Sequence, residues 1–316
     1  MRIFAYEWGK FDDKFKLTFN DTITKEKLLF SIILLAGVSL SAGAKKVSKV
    51  NFVFNDGIET LSIDRSKVKK ITFTEEHPAE QTFKVGEVEF KVLKVEKGTF
   101  TMGATAEQEN PNDNEKPTHQ VTLTKDYYIA ETEVTQALYK AVMGSDNNPS
   151  YFKGDRLPVE HVSYNALTGA DGFLAKLSEK TGKAFRLPTE AEWEFAARGG
   201  NKSNKTQYSG SATADDVAWH SGNADYKTHE VAQKNANELG LYDMSGNVWE
   251  WCSDWYGEYS SEAQTDPEGP ESGSKRVFRG ASIDHVAEHC RTSYRGSYDP
   301  DQGSSGLGLR LCLSAE

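Results

Sequence analysis

The sequence predicts an α+β domain low in regular secondary structure, with few helices and short antiparallel strands. Three observations point that way. Glycine is frequent (26 residues), and aromatics make up 11% of the chain, six Trp and thirteen Tyr among them, which suits loops and short strands pinned by large buried rings. Helical periodicity shows in three segments, all before residue 200, and nowhere beyond. Apolar content of 37% against 27% charged over 316 residues leaves material for a substantial soluble core, in one large or two modest domains.

The elements follow in chain order. Residues 25–44 run from Lys25-Glu26-Lys27 through an apolar stretch, Leu28 to about Leu40, to Ala42-Gly43-Ala44. A basic start, a short apolar core and an A-x-A site read as a secretory signal, here behind an upstream extension, so that 1–44 is leader. The apolar run is short for a bilayer span, so no membrane span is expected after cleavage. No Cys follows it to take a lipid. Residues 45–82 are expected to hold a short β segment, Val50–Phe54 and Val68–Phe73 around Asn55-Asp56-Gly57, and then a linker. From about Phe83 composition is uniform, so 83–316 reads as one domain.

Within it, 90–103 suggests a hairpin and Val121–Ile129 another strand. A helix is expected from Thr135 to Met143, stopped by Gly144, and a second from Ser163 to Gly182 with two internal glycines. The third has the clearest start: Thr189 and Glu192 form a capping box, and Gly199-Gly200 ends it.

Net charge is -10 and the pI about 5.3, which argues against nucleic acid as a partner, since phosphate binding needs clustered Lys and Arg. The three cysteines, Cys252, Cys290 and Cys312, include no Cys-x-x-Cys pair, so they offer no zinc site. In an exported protein one pair is expected to close, leaving one over.

The densest motif is Gly240-Leu241-Tyr242-Asp243-Met244-Ser245-Gly246-Asn247-Val248-Trp249-Glu250-Trp251. Its apolar residues point around the whole helical circle, so two extended pieces flanking a Ser-Gly-Asn turn fit better. Trp249 and Trp251 then share one face and Glu250 takes the other. Carboxylates from Asp243 and Glu250, with free turn carbonyls between, suit a hard cation such as calcium; an aromatic turn whose acids accept backbone N–H bonds is the alternative. Arg186, Arg198 and Arg310 are expected to pair with Glu190, Glu192 or Glu194 in buried ion pairs.

Three further blocks accompany it in order: Phe100–Gly103 with Pro117–Leu123 and Glu133-Val134-Thr135; Arg186–Arg198; and Arg276–Ser282, Cys290–Arg295 and Gly306–Arg310. Together, from about Val88 to Leu313, the chain resembles the formylglycine-generating enzyme family, the sulfatase-modifying-factor domain. The resemblance implies a variant of the C-type lectin-like fold. It also implies an oxidase that converts a sulfatase cysteine to formylglycine with molecular oxygen and copper. That activity needs two reactive cysteines after a Gly-Gly-Ser element, and Gly280–Cys290 carries His285 and Ala287 about where they should stand. Cys290 matches instead a cysteine of bacterial relatives, and the resemblance implies a structural disulfide from Cys252 to Cys290.

The same resemblance implies structural calcium at the side chains of Asp243 and Glu250 and the carbonyls of Gly246 and Val248. Two readings without the oxidase centre follow. One is a binding or accessory module recognising a protein, peptide or glycan, a sulfatase included, through Asp284, His285, His289, Tyr294, Tyr298 and Asp301. The other is a variable ligand-binding protein of a diversity-generating retroelement. There, adenine mutation of Asn codons yields the Ile, Asp, His, Val, Tyr, Gly and Ser that crowd 283–305. The oxidase reading, with copper as cofactor, is the third.

Overall fold

The structure, a computed structural model, describes residues 49–53, 60–64 and 78–315. The chain divides into two compact units, residues 1–76 and 77–316. In the first, β1 (Lys49–Val53) and β2 (Thr60–Asp64) pair antiparallel, Lys49 opposite Asp64. The expected partner for β1 was Val68–Phe73, which lies outside the described residues, as does the leader 1–44. The nearer alternating run, Leu61-Ser62-Ile63-Asp64, takes its place, and the shorter loop costs less entropy to close.

The second unit begins with β3 (Glu80–Val85) and β4 (Val88–Val95), a hairpin turning at Gly86 in the left-handed region (φ +60°). β3 thus starts inside the segment expected to be linker. The hairpin expected over 90–103 is not formed. β4 pairs with β3 and with β7 (Tyr127–Ala130), whereas β5 (Gly98–Met102) pairs with β6 (His119–Leu123). The chain changes sheets at Gly98, where a Cβ would stand 2.7 Å from the Phe195 ring and 2.3 Å from Asn201. The largest sheet has the order β3-β4-β7-β16-β8, with β16 (Cys312–Ser314) held antiparallel between β7 and β8 (Phe185–Arg186). A three-stranded sheet joins β12 (Gln264–Thr265), β6 and β5. A four-stranded sheet runs β14 (Arg295–Tyr298), β13 (Arg276–Arg279), β11 (Trp249–Trp255), β15 (Leu307–Gly308). β9 (Ala218–Trp219) and β10 (Ser245–Gly246) make a short parallel pair.

Helices follow their caps. α1 (Gln136–Met143) starts where Thr135 accepts from the Leu138 N–H and stops at Gly144. The single helix expected from Ser163 is broken in two, α2 (Tyr164–Thr168) and α3 (Phe173–Thr181). The break falls at Gly169 and Gly172; a Cβ at Gly172 would lie 2.7 Å from the Leu167 carbonyl. α4 (Glu190–Ala197) has its capping box: the Glu192 N–H donates to Thr189 Oγ1 (3.1 Å) and the Thr189 N–H to Glu192 Oε2 (2.9 Å). It packs against β5, β11 and β13 and is buried nearly all round, Trp193, Phe195, Ala196 and Ala197 at 1% exposure or less. A four-residue turn, α5 (Ala214–Val217), is the only α-helical segment beyond Gly200 among the described residues. No helix there is long and apolar enough to cross a membrane.

Two apolar clusters make the core, and β11 divides them. Trp249 and Trp251 point into one with Cys290 and Leu307; Cys252, between them and the next turn of the pleat, points into the other with Trp193 and Cys312.

Candidate functional site: an anchored turn and the C-terminal face

The 240–251 motif folds into β10, a bend at Asn247-Val248 and the start of β11; Ser245 and Gly246, expected within the turn, form β10 instead. Three left-handed residues make it tight: Asp243 (φ +58°), Gly246 (φ +82°) and Asn247 (φ +61°). Position 246 demands glycine, since a Cβ would fall 2.3 Å from the Trp219 carbonyl oxygen. Asn247 Nδ2 donates to Glu133 Oε2 (2.7 Å), and the Val248 N–H donates to Glu133 Oε1 (3.0 Å). Glu133, 1% exposed, therefore caps the turn from the far side of the sequence.

The backbone of this turn reaches into the C-terminal segment. The Gly246 N–H donates to the Gly280 carbonyl (2.7 Å), the Ile283 N–H to that of Asn247 (3.0 Å), and the Trp249 N–H to that of Gly306 (2.8 Å). Ser245 Oγ donates to the Cys290 carbonyl (2.8 Å). The turn is the root of the C-terminal loops.

Its two acids behave differently. Glu250 is saturated: Trp193 Nε1 donates to Oε2 (2.6 Å), Arg310 Nη2 to Oε1 (2.7 Å), and Arg310 Nε to both oxygens at 3.0 Å. Two donors on each oxygen leave no lone pair for a cation. Asp243 is different. Oδ2 accepts the Ala232 N–H (2.7 Å), while Oδ1 is buried without a partner. Burial pushes the Asp243 carboxyl up to about 6, and burial with the neighbouring Asp243 and Glu250 charges pushes Glu133 well above the usual carboxylate range. Three acids thus share one cation, Arg310. Calcium fits the donors at Asp243 and does not fit Glu250 as it stands. Among the described residues no three His, Cys, Asp or Glu side chains gather as a metal-holding group, so a cation here would lean on turn carbonyls.

The expected arginine pairs are partly re-drawn. Arg186 holds Glu192 and Arg198 holds Glu194, within the expected set. Arg310 goes to Glu250 instead, and Glu190 binds Arg279 (2.8 Å) and Arg295 (2.6 Å). Arg279 also reaches Glu194 (2.7 Å), and Arg291 holds Glu115 (2.5 Å).

The expected Cys252–Cys290 disulfide is not formed; all three cysteines are free and buried. Pleat alternation explains it: Cys252 faces away from Trp251, whose cluster holds Cys290. Burial raises all three thiols, Cys290 to about 12 and the other two well above the ordinary thiol value. Copper(I) favours close thiolate pairs, and Cys252 and Cys290 point into different apolar clusters.

Of the six candidate ligand residues, three converge. The Trp249 ring is the floor, with Phe278 (4.5 Å between centroids), His285 (5.0 Å) and Tyr294 (5.7 Å) around it. His289 stacks on Tyr294 at 4.3 Å and stands 5.6 Å from His285. Ser282 Oγ bonds His285 Nδ1 (2.9 Å). His289 Nδ1 is buried without a partner. Burial foremost, then the charge of His289 on His285 and of Arg291 on His289, lowers both imidazoles, so both are neutral at pH 7. Tyr298 lies on the Trp251 side of the same sheet, 6.5 Å from Trp251 and from Phe278. Asp284 is exposed. Asp301 is held elsewhere, accepting from Asn165 Nδ2 of α2 (2.5 Å). Sequence reasoning missed Trp249, Phe278 and Ser282 as parts of this face, and Glu133 and Arg310 beneath it. The order of the aromatic motif with respect to Gly280-Ala281-Ser282 was the available signal for the first three.

Residues 78–315 match the family described as sulfatase-modifying factor enzyme 1-like domain. The chain is similar to a formylglycine-generating enzyme of Streptomyces coelicolor, 30% identical over 69% of this chain and 88% of that protein. A chaperone protein LppX of Paenibacillus barcinonensis is 36% identical over 61% of this chain and 82% of that one. Among solved structures, Treponema denticola variable protein 1 superposes with a TM-score of 0.66 at 35% identity, over 76% of this chain and all of that one. PvdO from Pseudomonas aeruginosa does so with a TM-score of 0.62 at 26% identity, over 76% and 100%. The fold is of the C-type lectin-like, formylglycine-generating-enzyme type.

Proposed function

The chain belongs to the sulfatase-modifying-factor family, and from that premise we propose that it is an exported, calcium-stabilised binding or accessory module without the oxidase centre. One observation carries this reading. Where the family's redox pair is expected, the chain places Asp284, His285 and Ala287, and its thiols are buried in the core and held protonated. What the segment offers outward is a neutral His–Tyr–Trp face, His285, His289 and Tyr294 over Trp249. Stacked rings with imidazole donors and acceptors suit the planar and hydroxyl-bearing surfaces of a peptide, protein or glycan. Asp243, with the carbonyls of Gly246 and Val248, would hold the calcium, which would neutralise charge that Arg310 leaves uncompensated.

Incubation of the chain with a sulfatase Cys-motif peptide, copper and oxygen is expected to leave the peptide's mass unchanged; thiol-to-aldehyde conversion would overturn the reading. Peptide and glycan arrays probed with the full chain are expected to give signals that a His285→Ala/Tyr294→Ala variant loses. Signals untouched by that variant would move the binding surface elsewhere. For calcium, a chelator should lower the unfolding midpoint in the wild type and not in Asp243→Asn.

Similarity to Treponema denticola variable protein 1 favours a second reading, a diversified receptor whose face is rewritten at adenines. Coding sequences from independent isolates should then differ at adenines within 283–305 and nowhere upstream.

A further inference from the structure

A cavity of about 500 Å³, sharing no residue with the C-terminal face, lies among the start of α4, the ends of β5 and β11, and the 257–270 segment. Its lining includes His119, Glu190, Asp254, Tyr259 and Arg295, with Glu258 and Glu268 at the exposed rim. Two of these charges cancel. Arg295 grips Glu190 through Nε (2.7 Å) and Nη2 (2.6 Å) and spends Nη1 on the Gly257 carbonyl (2.8 Å). Tyr259 donates its hydroxyl to Glu190 Oε1 (3.1 Å). Most of the guanidinium's donors are spent on Glu190 and backbone carbonyls, and its charge is answered by Glu190.

Asp254 has no such partner. It is 3% exposed, and Oδ2 accepts the Glu190 N–H (2.8 Å) and Ser253 Oγ (3.2 Å). Oδ1 takes no hydrogen bond and the side chain forms no ion pair among the described residues. On the cavity wall that open oxygen is available to a ligand's donor. His119 adds a second acceptor. Its Nδ1 lies 3.3 Å from the Pro117 carbonyl, and its Nε2 makes no hydrogen bond among the described residues. Its ring packs on Tyr259 at 4.9 Å. Gly269 (φ +74°) closes over Asp254 so tightly that a Cβ would lie 3.0 Å from the Asp254 Cβ. The wall is therefore shaped and acceptor-rich; burial and the Glu190 charge push the Asp254 carboxyl up to about 7, and a bound cation would favour its ionised form.

We propose that this cavity binds an organic cation, a primary ammonium or guanidinium group, with Asp254 as counter-ion and His119 as hydrogen-bond acceptor. The volume suits a lysine- or diamine-sized group. The source is either a free amine or a basic side chain of a peptide.

Calorimetric titration of the full chain with putrescine, with N-acetyl-lysine amide and with the neutral N-acetyl-norleucine amide tests it. At least one cationic probe should saturate and the norleucine probe should not; which cation binds identifies the source. Asp254→Asn should weaken binding tenfold or more. Glu258→Gln/Glu268→Gln, both exposed and safe for folding, should weaken it severalfold even if Asp254→Asn does not fold. No saturation by either cation at millimolar concentration, equal binding of the norleucine probe, or an unchanged affinity in the rim variant would overturn the proposal.

Discussion

Arg310→Met is the sharpest probe of the anchored turn. Arg310 is fully buried. It donates to both oxygens of Glu250, to the Ala130 carbonyl (2.9 Å) and to the Tyr242 carbonyl (2.7 Å). Methionine fills much of the same volume, so the loss is one of charge and donors more than of packing. Removing one partner of a buried ion pair costs about 3–5 kcal/mol, and two carbonyls left without donors push this toward the upper end. Glu250→Gln keeps an acceptor for Trp193 and removes the charge that Arg310 answers. The double variant should therefore be less damaged than the sum of the singles, with a coupling of about 2 kcal/mol. Urea unfolding followed by tryptophan fluorescence measures all four corners of the cycle. If the two single losses add to within about 0.5 kcal/mol, the pair does not work as described and the turn is held by its backbone bonds alone.

Three further outcomes are expected. Glu160, wholly buried by area and with Oε2 unpartnered, is raised by burial to about 7 from 4.5. The fold favours its protonated form, so its contribution is complete below pH 4.5 and is lost as pH rises through 7, about 2 kcal/mol after allowance for solvent screening. Glu160→Gln should flatten the stability–pH curve over that window while keeping the Phe152 N–H bond, and an unchanged slope would refute this. Gly246→Ala should cost more than about 3 kcal/mol, because strain at φ +82° joins a backbone clash. Gly182→Ala, at φ +69° in open space, should cost only about 1 kcal/mol; equal losses in the two would remove the clash from the account. None of Cys252, Cys290 and Cys312 should react with a thiol reagent in the native state, and all should react in denaturant; rapid native labelling would contradict their burial.

What the sequence disclosed divides by range. The caps at Thr135 and Thr189 and the glycine stops depend on neighbours within four residues, and they stand where the spacing placed them. The α2–α3 break also had a local sign, the two glycines, whose meaning was a close carbonyl rather than a weakened helix. Strand partnership had none. Nothing in 90–103 says that β4 turns to β7 while β5 turns to β6, because that choice is made by residues 119–130. The ion pairs show the same limit: the arginines and glutamates were identifiable as a buried set, but Arg310 finds Glu250 and Arg295 finds Glu190 across 60 and 105 residues of chain. The disulfide expectation failed on a strand-level fact, since alternation along β11 sends Cys252 to the other cluster. At the C-terminal face, His285, His289 and Tyr294 were foreseen as a group. Asp301 was not separable from them by sequence, because its tie to Asn165 depends on where α2 sits.

The anchoring pattern explains how this scaffold can carry different faces on the same root. The bonds from the turn to the C-terminal segment run to backbone groups at Gly280, Ile283, Cys290 and Gly306. None of them uses the side chains of residues 284–289. Those side chains are exposed or half-buried, so their identity has little effect on the core, and surface changes of this kind usually move stability by less than about 0.5 kcal/mol. Trp249 supplies a floor from the motif itself, so whatever stands on 284–289 meets an aromatic surface already in place. Thiols, imidazoles or other side chains can then occupy the loop without altering how it is rooted. The Gly240–Trp251 motif therefore reports on the root and floor, and the chemistry of the face is set independently by the residues above it.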